Sequence, residues 1–260
     1  MRIRPIRLAL LLLLAIAPAI AAAFVAAATV PSQRTAAVIA QVARAEGSAA
    51  SQAAIAALVY ELHIKEPTYE ADATYRVDRN GRMRIDGYAN GKRFITECYD
   101  GQRAWQMDGD GVVTSESAKG AATLWRGTQY PGQILSLAEL PAHGHRVAAI
   151  EPETIEGVVY DVLELTMSDG FQTWRYVDPR SHLITRGRDT RPLHLDVDPT
   201  ETWIETAWSD FRVVDGVRRP FLSTQTDLHT GKLLQTTTVR SIRAVPNLPD
   251  RLFVAGAAAE

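Results

Sequence analysis

The chain has 260 residues, among them 28 lysines and arginines and 30 aspartates and glutamates, and its formal net charge is −2 at pH 7. This length fits one large domain or at most two small ones. No run of basic residues is present, which argues against binding to nucleic acid or to an anionic membrane surface. The single cysteine, Cys98, excludes an internal disulfide and is expected to be a small buried apolar side chain.

The first residues have the three parts of a cleavable signal peptide. Three arginines precede an unbroken apolar stretch at 8–17, and small residues up to Ala23 follow Pro18. The apolar stretch is shorter than the roughly 20 residues of a membrane-spanning helix. We therefore predict a signal peptide at 1–23, with an uncleaved anchor as the alternative. No cysteine follows the cleavage site, so we expect a periplasmic protein that is not lipidated.

Helical patterns occur in two places. After an Ala-rich linker at 24–34, apolar residues at helical spacing predict two helices within 35–59, and Gly47 and Ser48 separate them. A second helical region is predicted between residues 117 and 140.

Strands are predicted for most of the chain after Tyr60. Asn-Gly and Asp-Gly dipeptides recur about every ten residues between short stretches of β-forming residues, which indicates an antiparallel meander. The predicted fold is α+β, with roughly eleven strands in a strongly curved antiparallel sheet. So large a sheet must curl, and we expect an incomplete β-barrel whose concave face is covered by helices. The expected domain is 35–254, followed by a flexible tail at 255–260.

Some strands have apolar residues on both faces. In 157–167, one face holds Val159, Leu163 and Leu165, and the other holds Val158 and Val162. Two apolar faces need two covers. If the helices do not fill the concave side, an apolar cavity remains there, and such cavities bind apolar ligands.

Four segments resemble one known family. They are 81–86, the tyrosine, Asp-Gly turn and tryptophan within 98–105, the hairpin at 208–221 and the closing segment 247–253. On these segments the chain resembles the LolA/LolB-like lipoprotein-carrier superfamily, which includes the sensor domain of the periplasmic regulator RseB. The likeness covers about residues 35–254 and implies a half-barrel with a hydrophobic cavity.

The resemblance implies two functions. The first is a soluble periplasmic carrier that holds a lipid or an acylated protein in the cavity. The alternative is an RseB-like sensor domain, which would bind a peptide or lipid and signal to a membrane-protein partner. In either case we expect a monomer that does not bind nucleic acid.

Reactive motifs are absent from the sequence. It contains no phosphate-binding glycine loop, no serine-nucleophile elbow and no paired zinc-ligand motif. We therefore expect no catalytic residue, no cofactor and no metal, and the chain is predicted not to be an enzyme. His194, Asp196 and Asp198 alternate before Pro199, which leaves a weak cation site as the alternative to a solvated loop.

Large aromatic residues are the candidates for lining the cavity. Taken singly, each tryptophan is explained by core packing, but as a set these residues could form an apolar wall. Trp203 and Trp208 have opposite parity on one predicted strand, so both face the cavity only if a bulge intervenes. The six candidates are Phe94, Trp105, Trp125, Trp174, Trp203 and Phe211.

Overall fold

The computed structural model of the protein describes residues 31–195 and 198–257. The predicted signal peptide at 1–23, most of the linker at 24–34 and the last three residues of the tail lie outside these ranges. Within them, no helix combines the length and the apolar character that crossing a membrane requires.

Two helices open the described chain, and each begins after a serine. α1 spans Gln33–Glu46 and α2 spans Ala49–Ala54. The hydroxyls of Ser32 and Ser48 accept hydrogen bonds from the backbone N–H groups three residues further on, which satisfies donors that a helix start leaves free. At Gly47 a side chain would clash with a carbonyl oxygen of a neighbouring loop. The predicted break between the two helices is confirmed.

One antiparallel sheet contains all the described strands. A third helix, α3 (Ala118–Gln129), and a 3₁₀ helix (Leu140–His143) interrupt the strands, and a second 3₁₀ helix (Asp250–Phe253) follows them. The strands are β1 (Ala57–Lys65), β2 (Glu70–Asp78), β3 (Met83–Ala89), β4 (Lys92–Tyr99), β5 (Ala104–Asp108), β6 (Val113–Ser115), β7 (Arg146–Ile155), β8 (Val158–Thr166), β9 (Gln172–Val177), β10 (Ile184–Arg191), β11 (Thr202–Val214), β12 (Val217–Asp227) and β13 (Leu233–Val245).

Two meanders make up the sheet. The strand order is β6-β5-β4-β3-β2-β1-β13-β12-β11-β10-β9-β8-β7, so β1 and β13 join the meander of β1–β6 to that of β7–β13. Among the described residues β6 and β7 do not pair with each other, so the sheet curls without closing. The predicted α+β half-barrel with helices over its concave face is confirmed, with thirteen strands where about eleven were expected.

Tight hairpins explain how so many strands follow one another. At Asn90 and Gly91, φ is 52° and 73°, and at Asp215 and Gly216 it is 48° and 78°. Two consecutive positive φ angles are what the two-residue turns of twisted hairpins require, and Asn, Asp and Gly tolerate them best. The Asn-Gly and Asp-Gly dipeptides therefore mark strand ends, as the sequence predicted.

Each face of the sheet has its own cover. Leu58 belongs to the main core beneath the helices, whereas Ala57 and Val59 belong to a second core with Phe253. Since side chains alternate between faces along a strand, the second core lies on the outer face of the first meander. The segment after β13 covers it.

A buried ionic cluster ties this segment to the sheet. Arg84 and Asp86 are fully buried on β3, and Arg84 Nη1 donates to the carbonyl oxygens of Leu252 and Ala257 at 2.8 and 3.0 Å. The C-terminal segment is thus held by charge-assisted hydrogen bonds as well as by apolar packing.

Candidate functional site

The concave side of the sheet is not completely filled. A cavity of about 380 Å³ lies between the strands from β9 to β13, the strands β1 and β2, and the segment that follows α3. Pockets that hold small molecules have volumes of roughly 300–1,000 Å³, so this cavity fits one small ligand.

Aromatic and aliphatic side chains form much of its wall. Alternation along β1 points Tyr60 and Leu62 into the cavity, and the ring of Tyr75 lies 5.6 Å from that of Tyr60. Trp208 of β11 and Leu222 of β12 line the facing side. This part of the wall suits an apolar ligand.

The cover over the cavity is attached by one buried arginine. Arg219 of β12 is 4% exposed, and its Nη1 donates to the carbonyl oxygens of Gly132 and Gln133, the former at 2.8 Å. It also donates to the hydroxyl of Tyr60 at 3.4 Å. A strand side chain therefore holds the segment after α3 down onto the sheet, through acceptors that the loop backbone cannot satisfy within itself.

A second buried arginine lines the cavity at β9. Arg175 is 4% exposed, and its guanidinium carbon lies 4.9 Å from the ring centre of Tyr130 and 5.2 Å from that of Trp208. Gly187, its partner on β10, makes room for it, because a Cβ there would come within 3.0 Å of both the guanidinium and the Trp208 ring. Burial lowers the pKa of the Arg175 guanidinium, while Tyr130 and Asp189 oppose that shift.

A neighbouring ion pair occupies the same side of the cavity. Asp189 is 5% exposed, and its Oδ1 lies 2.9 Å from Arg191 Nε, although this contact lacks the geometry of a hydrogen bond. Arg191 Nη2 also donates to Gln225 Oε1 at 2.9 Å. The Asp189 charge is thus in direct contact with Arg191 rather than with Arg175.

A buried carboxyl group lines the cavity at the end of α1. Burial raises the pKa of Glu46 from 4.5 to about 7, and the positive charge of Arg219 limits the rise. A carboxylate at a helix C-terminus is also disfavoured by the helix dipole. Near neutral pH, Glu46 is therefore close to half protonated.

Phe211 is the one predicted site residue that lines the cavity. Thr206 and Trp208 precede it on β11 and also line the cavity, so regular alternation would turn Phe211 away. Asp210, with a φ of 52°, has no partner in the ladder with β12. The register with β12 is the same on both sides of Asp210, and Phe211 lines the cavity together with its cross-strand partner Pro220.

Trp174 and Trp203 lie on the opposite face of the sheet. Trp174 adjoins Arg175, and Trp203 is an odd number of residues from Thr206, so both point away from the cavity. Their rings pack edge to face with centres 5.3 Å apart. Of Trp203 and Trp208, which alternation places on opposite faces of β11, Trp208 is thus the one that faces the cavity.

The other three predicted residues are also outside the lining. Trp105 lies in the outer core beneath the C-terminal segment, where its Nε1 donates to the carbonyl oxygen of Phe253 at 3.2 Å. Trp125 of α3 packs against the main core, with its ring 5.9 Å from that of His145. Phe94 is 42% exposed on β4.

The sequence interpretation missed the charged members of the lining. Glu46, Arg175 and Asp189 were not among the predicted site residues, and ionisable side chains such as these are seldom buried. The one available signal was the alternation of side chains along a strand. Trp174 and Tyr176 share one face of this strand and Arg175 lies on the other, so either the two aromatic residues or the arginine had to face inward.

Metal ligands do not cluster in the part of the chain that the structure describes, where no group of three His, Cys, Asp or Glu side chains could hold an ion. Asp196, proposed with His194 as a weak cation site, lies outside the described residues. His194 Nε2 is 2.8 Å from Glu66 Oε1.

Comparison with solved structures identifies the fold. A LolA superfamily protein from Nitrosomonas europaea matches with a TM-score of 0.54 and 12% identity, over 85% of this chain and 97% of that one. This chain shares the fold of that protein. A DUF1329 family protein from Desulfovibrio piger shares it, with a TM-score of 0.55 and 11% identity over 86% of this chain and 98% of that one.

At such low identity, the likeness establishes the LolA-like fold and not a function. No protein-family model and no curated protein sequence matches the chain. The MucA/MucB complex of Pseudomonas aeruginosa matches 84% of this chain and 60% of that one at 12% identity, but its TM-score of 0.31 is too low to support an argument about partners.

Proposed function

We propose that the protein is a carrier that holds one hydrophobic ligand, a lipid or the acyl chain of an acylated protein, in the cavity of its LolA-like half-barrel. The observation that carries this proposal is the cavity of about 380 Å³ between the curved sheet and its helical cover. An acyl chain gains roughly 0.8 kcal/mol for each CH₂ group that it buries. The wall formed by Leu62, Trp208 and Leu222 offers such burial.

The cover offers a route for uptake and release. The segment after α3 is held to the sheet by the hydrogen bonds from Arg219 to two loop carbonyl oxygens. Because Arg219 contacts loop carbonyl oxygens in this segment, breaking the contact would unpair no strand. We propose that the ligand enters and leaves there.

The cellular setting follows from the sequence. We propose that the signal peptide at 1–23 directs export of the chain to the periplasm and that the protein is not lipidated. We also propose that it is a monomer and that residues 35–254 form the domain that binds the ligand. We propose binding rather than catalysis, with no metal or cofactor.

Extraction tests the function directly. The protein is purified from its native compartment without detergent, extracted with organic solvent, and the extract is analysed by mass spectrometry. We expect a co-purifying lipid. A clean extract together with no binding of a fluorescent fatty acid would contradict the proposal. Recovery of a membrane protein without lipid would favour the sensor alternative.

Tryptophan quenching locates the bound chain. Trp208 lines the cavity, whereas Trp174 and Trp203 form a pair on the other face. A fatty acid brominated on its chain quenches a tryptophan in contact with it. We expect quenching in the wild type and in Trp203→Phe, and its loss in Trp208→Phe. Quenching that survives in Trp208→Phe but disappears in Trp203→Phe would place the chain on the outer face and contradict the proposal.

A further inference from the structure

Resting on the proposed function, we infer that the ligand is a single-chain anionic amphiphile whose carboxylate or phosphate headgroup binds Arg175 inside the cavity. The cavity wall is apolar where β1, β11 and β12 meet the cover, and it carries Arg175 at β9. A ligand that satisfies both parts has an apolar chain and one negative headgroup.

The Arg175 guanidinium has unused donors. Its five N–H groups point outward in one plane, a geometry that matches carboxylate and phosphate oxygens. Tyr130 and Trp208 contact it through their ring faces, at 4.9 and 5.2 Å from the ring centres. Its Nε is buried and has no hydrogen-bond partner among residues 31–195 and 198–257.

A buried, positively charged Arg175 guanidinium is energetically unfavourable when no anion is bound beside it. An arginine stays charged at every physiological pH, so it cannot relieve its burial by losing a proton. A buried charge is stabilised by a paired charge and by hydrogen bonds, and cation–π contacts replace only part of that. An anionic oxygen in the cavity would supply both. Arg219, the other buried arginine near the cavity, already donates to the cover.

The charge balance at this end of the cavity favours an anion. Asp189 lines this end of the cavity, and its Oδ1 lies 2.9 Å from Arg191 Nε. Arg175 and Arg191 thus bring two positive charges to one carboxylate, which contacts Arg191 alone, and this leaves a net positive charge at this end of the cavity. Gly187 keeps that space open, since any side chain there would collide with the guanidinium.

The cavity size sets the number of chains. About 380 Å³ is near the lower end of the range for ligand pockets. Such a volume suits one chain with a small headgroup, such as a fatty acid or a monoalkyl phosphate, rather than a lipid with two chains.

Three probes with one chain length test the headgroup. Sodium dodecanoate, dodecyl phosphate and the uncharged dodecan-1-ol are titrated into the wild-type protein by calorimetry. We expect at least one of the two anions to bind about tenfold or more tightly than the alcohol, as one charge-assisted contact provides. The ratio between the anions tells whether carboxylate or phosphate is preferred.

Two matched variants test the residue. Arg175→Met removes the charge and keeps an unbranched side chain, and we expect it to weaken binding of the preferred anion by about ten- to a hundredfold while leaving the alcohol unaffected. Arg240→Met is the control, because Arg240 is exposed, lies outside the cavity lining and pairs with Asp72 at 2.7 Å. We expect it to change anion binding by less than about threefold.

The outcomes separate this inference from the proposed function. If the alcohol binds as tightly as both anions, the cavity binds chains without reading a headgroup, and only the inference is overturned. Equal losses in Arg175→Met and Arg240→Met would also overturn it, because a general positive field would then explain the preference. If no probe binds, both proposals fail. The comparison of probes on the wild type holds even if Arg175→Met does not fold.

Discussion

Replacing Asp86 by alanine is expected to lower the free energy of unfolding by about 3–5 kcal/mol, because it leaves a buried guanidinium without its counter-charge. Asp86 and Arg84 are both fully buried, and three of their nitrogen–oxygen distances lie between 2.8 and 3.0 Å. Asp86 also accepts from Arg76 at 2.6 Å and from Thr96 at 2.7 Å. One substitution therefore removes the acceptor for three donor side chains.

Urea denaturation of the wild type and the variant measures this loss. Glu70→Ala is the matched control, because Glu70 forms a similarly short pair with Lys65, 2.7 Å, but on the surface with both side chains at least half exposed. Exposed pairs contribute at most about 1 kcal/mol. If Asp86→Ala costs no more than Glu70→Ala, the buried cluster does not contribute to stability as argued.

The same cluster shows what the sequence could and could not reveal. The segments 81–86, 98–105 and 247–253 each resemble the family, and in the structure they meet at Phe253. Arg82 lies 4.2 Å over its ring, and Trp105 donates to its carbonyl oxygen. Nothing within one segment predicts this, since Trp105 and Arg82 are 148 and 171 residues away from Phe253 in the sequence. The motifs turn out to attach the C-terminal segment to the outer face.

Local features were predictable because their causes are local. Asn90-Gly91 and Asp215-Gly216 adopt the positive φ angles that such dipeptides tolerate, so hairpins and strand ends could be placed from the sequence. Parity also predicted that Trp203 and Trp208 lie on opposite faces. It did not predict which face is concave, because that depends on how the whole sheet curls.

The cavity lining was harder to predict because it contains residues of the wrong apparent type. Trp174 and Arg175 are neighbours, and the usual preference for burying tryptophan places Trp174 inside. In the structure Arg175 faces inward, and Trp174 packs against Trp203 on the outer face. Which of the two side chains faces inward depends on residues of other strands, because Gly187 and Trp208 leave room for the Arg175 guanidinium.

Replacing Glu46 by glutamine is expected to raise the free energy of unfolding by about 3 kcal/mol at pH 8 and by less than about 0.5 kcal/mol at pH 4.5. The pKa of Glu46 is raised from 4.5 to about 7 in the folded protein, with burial as the main cause and Arg219 as the opposing charge. Each unit of such a shift corresponds to about 1.4 kcal/mol.

The sign follows from which state binds the proton. Below pH 4.5 the carboxyl is neutral in both the folded and the unfolded chain, so it adds no penalty. Between pH 4.5 and 7 the unfolded chain releases the proton while the folded chain keeps it, and stability falls as the pH rises. Above pH 7 the folded protein carries the full cost of a buried carboxylate. Glutamine has no proton to lose, so the variant avoids that cost.

Unfolding curves at several pH values, for the wild type, Glu46→Gln and the exposed control Glu151→Gln, measure the difference. We expect Glu151→Gln to stay within about 0.5 kcal/mol of the wild type throughout. If Glu46→Gln and the wild type keep a constant separation from pH 4.5 to 8, Glu46 is not the buried acid that the structure shows.

Glu46 lines the same cavity as Arg175 and Arg218. Glu46 repels an anion there when it is ionised but not when it is protonated. Dodecanoate is therefore expected to bind the wild type more tightly at pH 6 than at pH 8, and to bind Glu46→Gln equally at both.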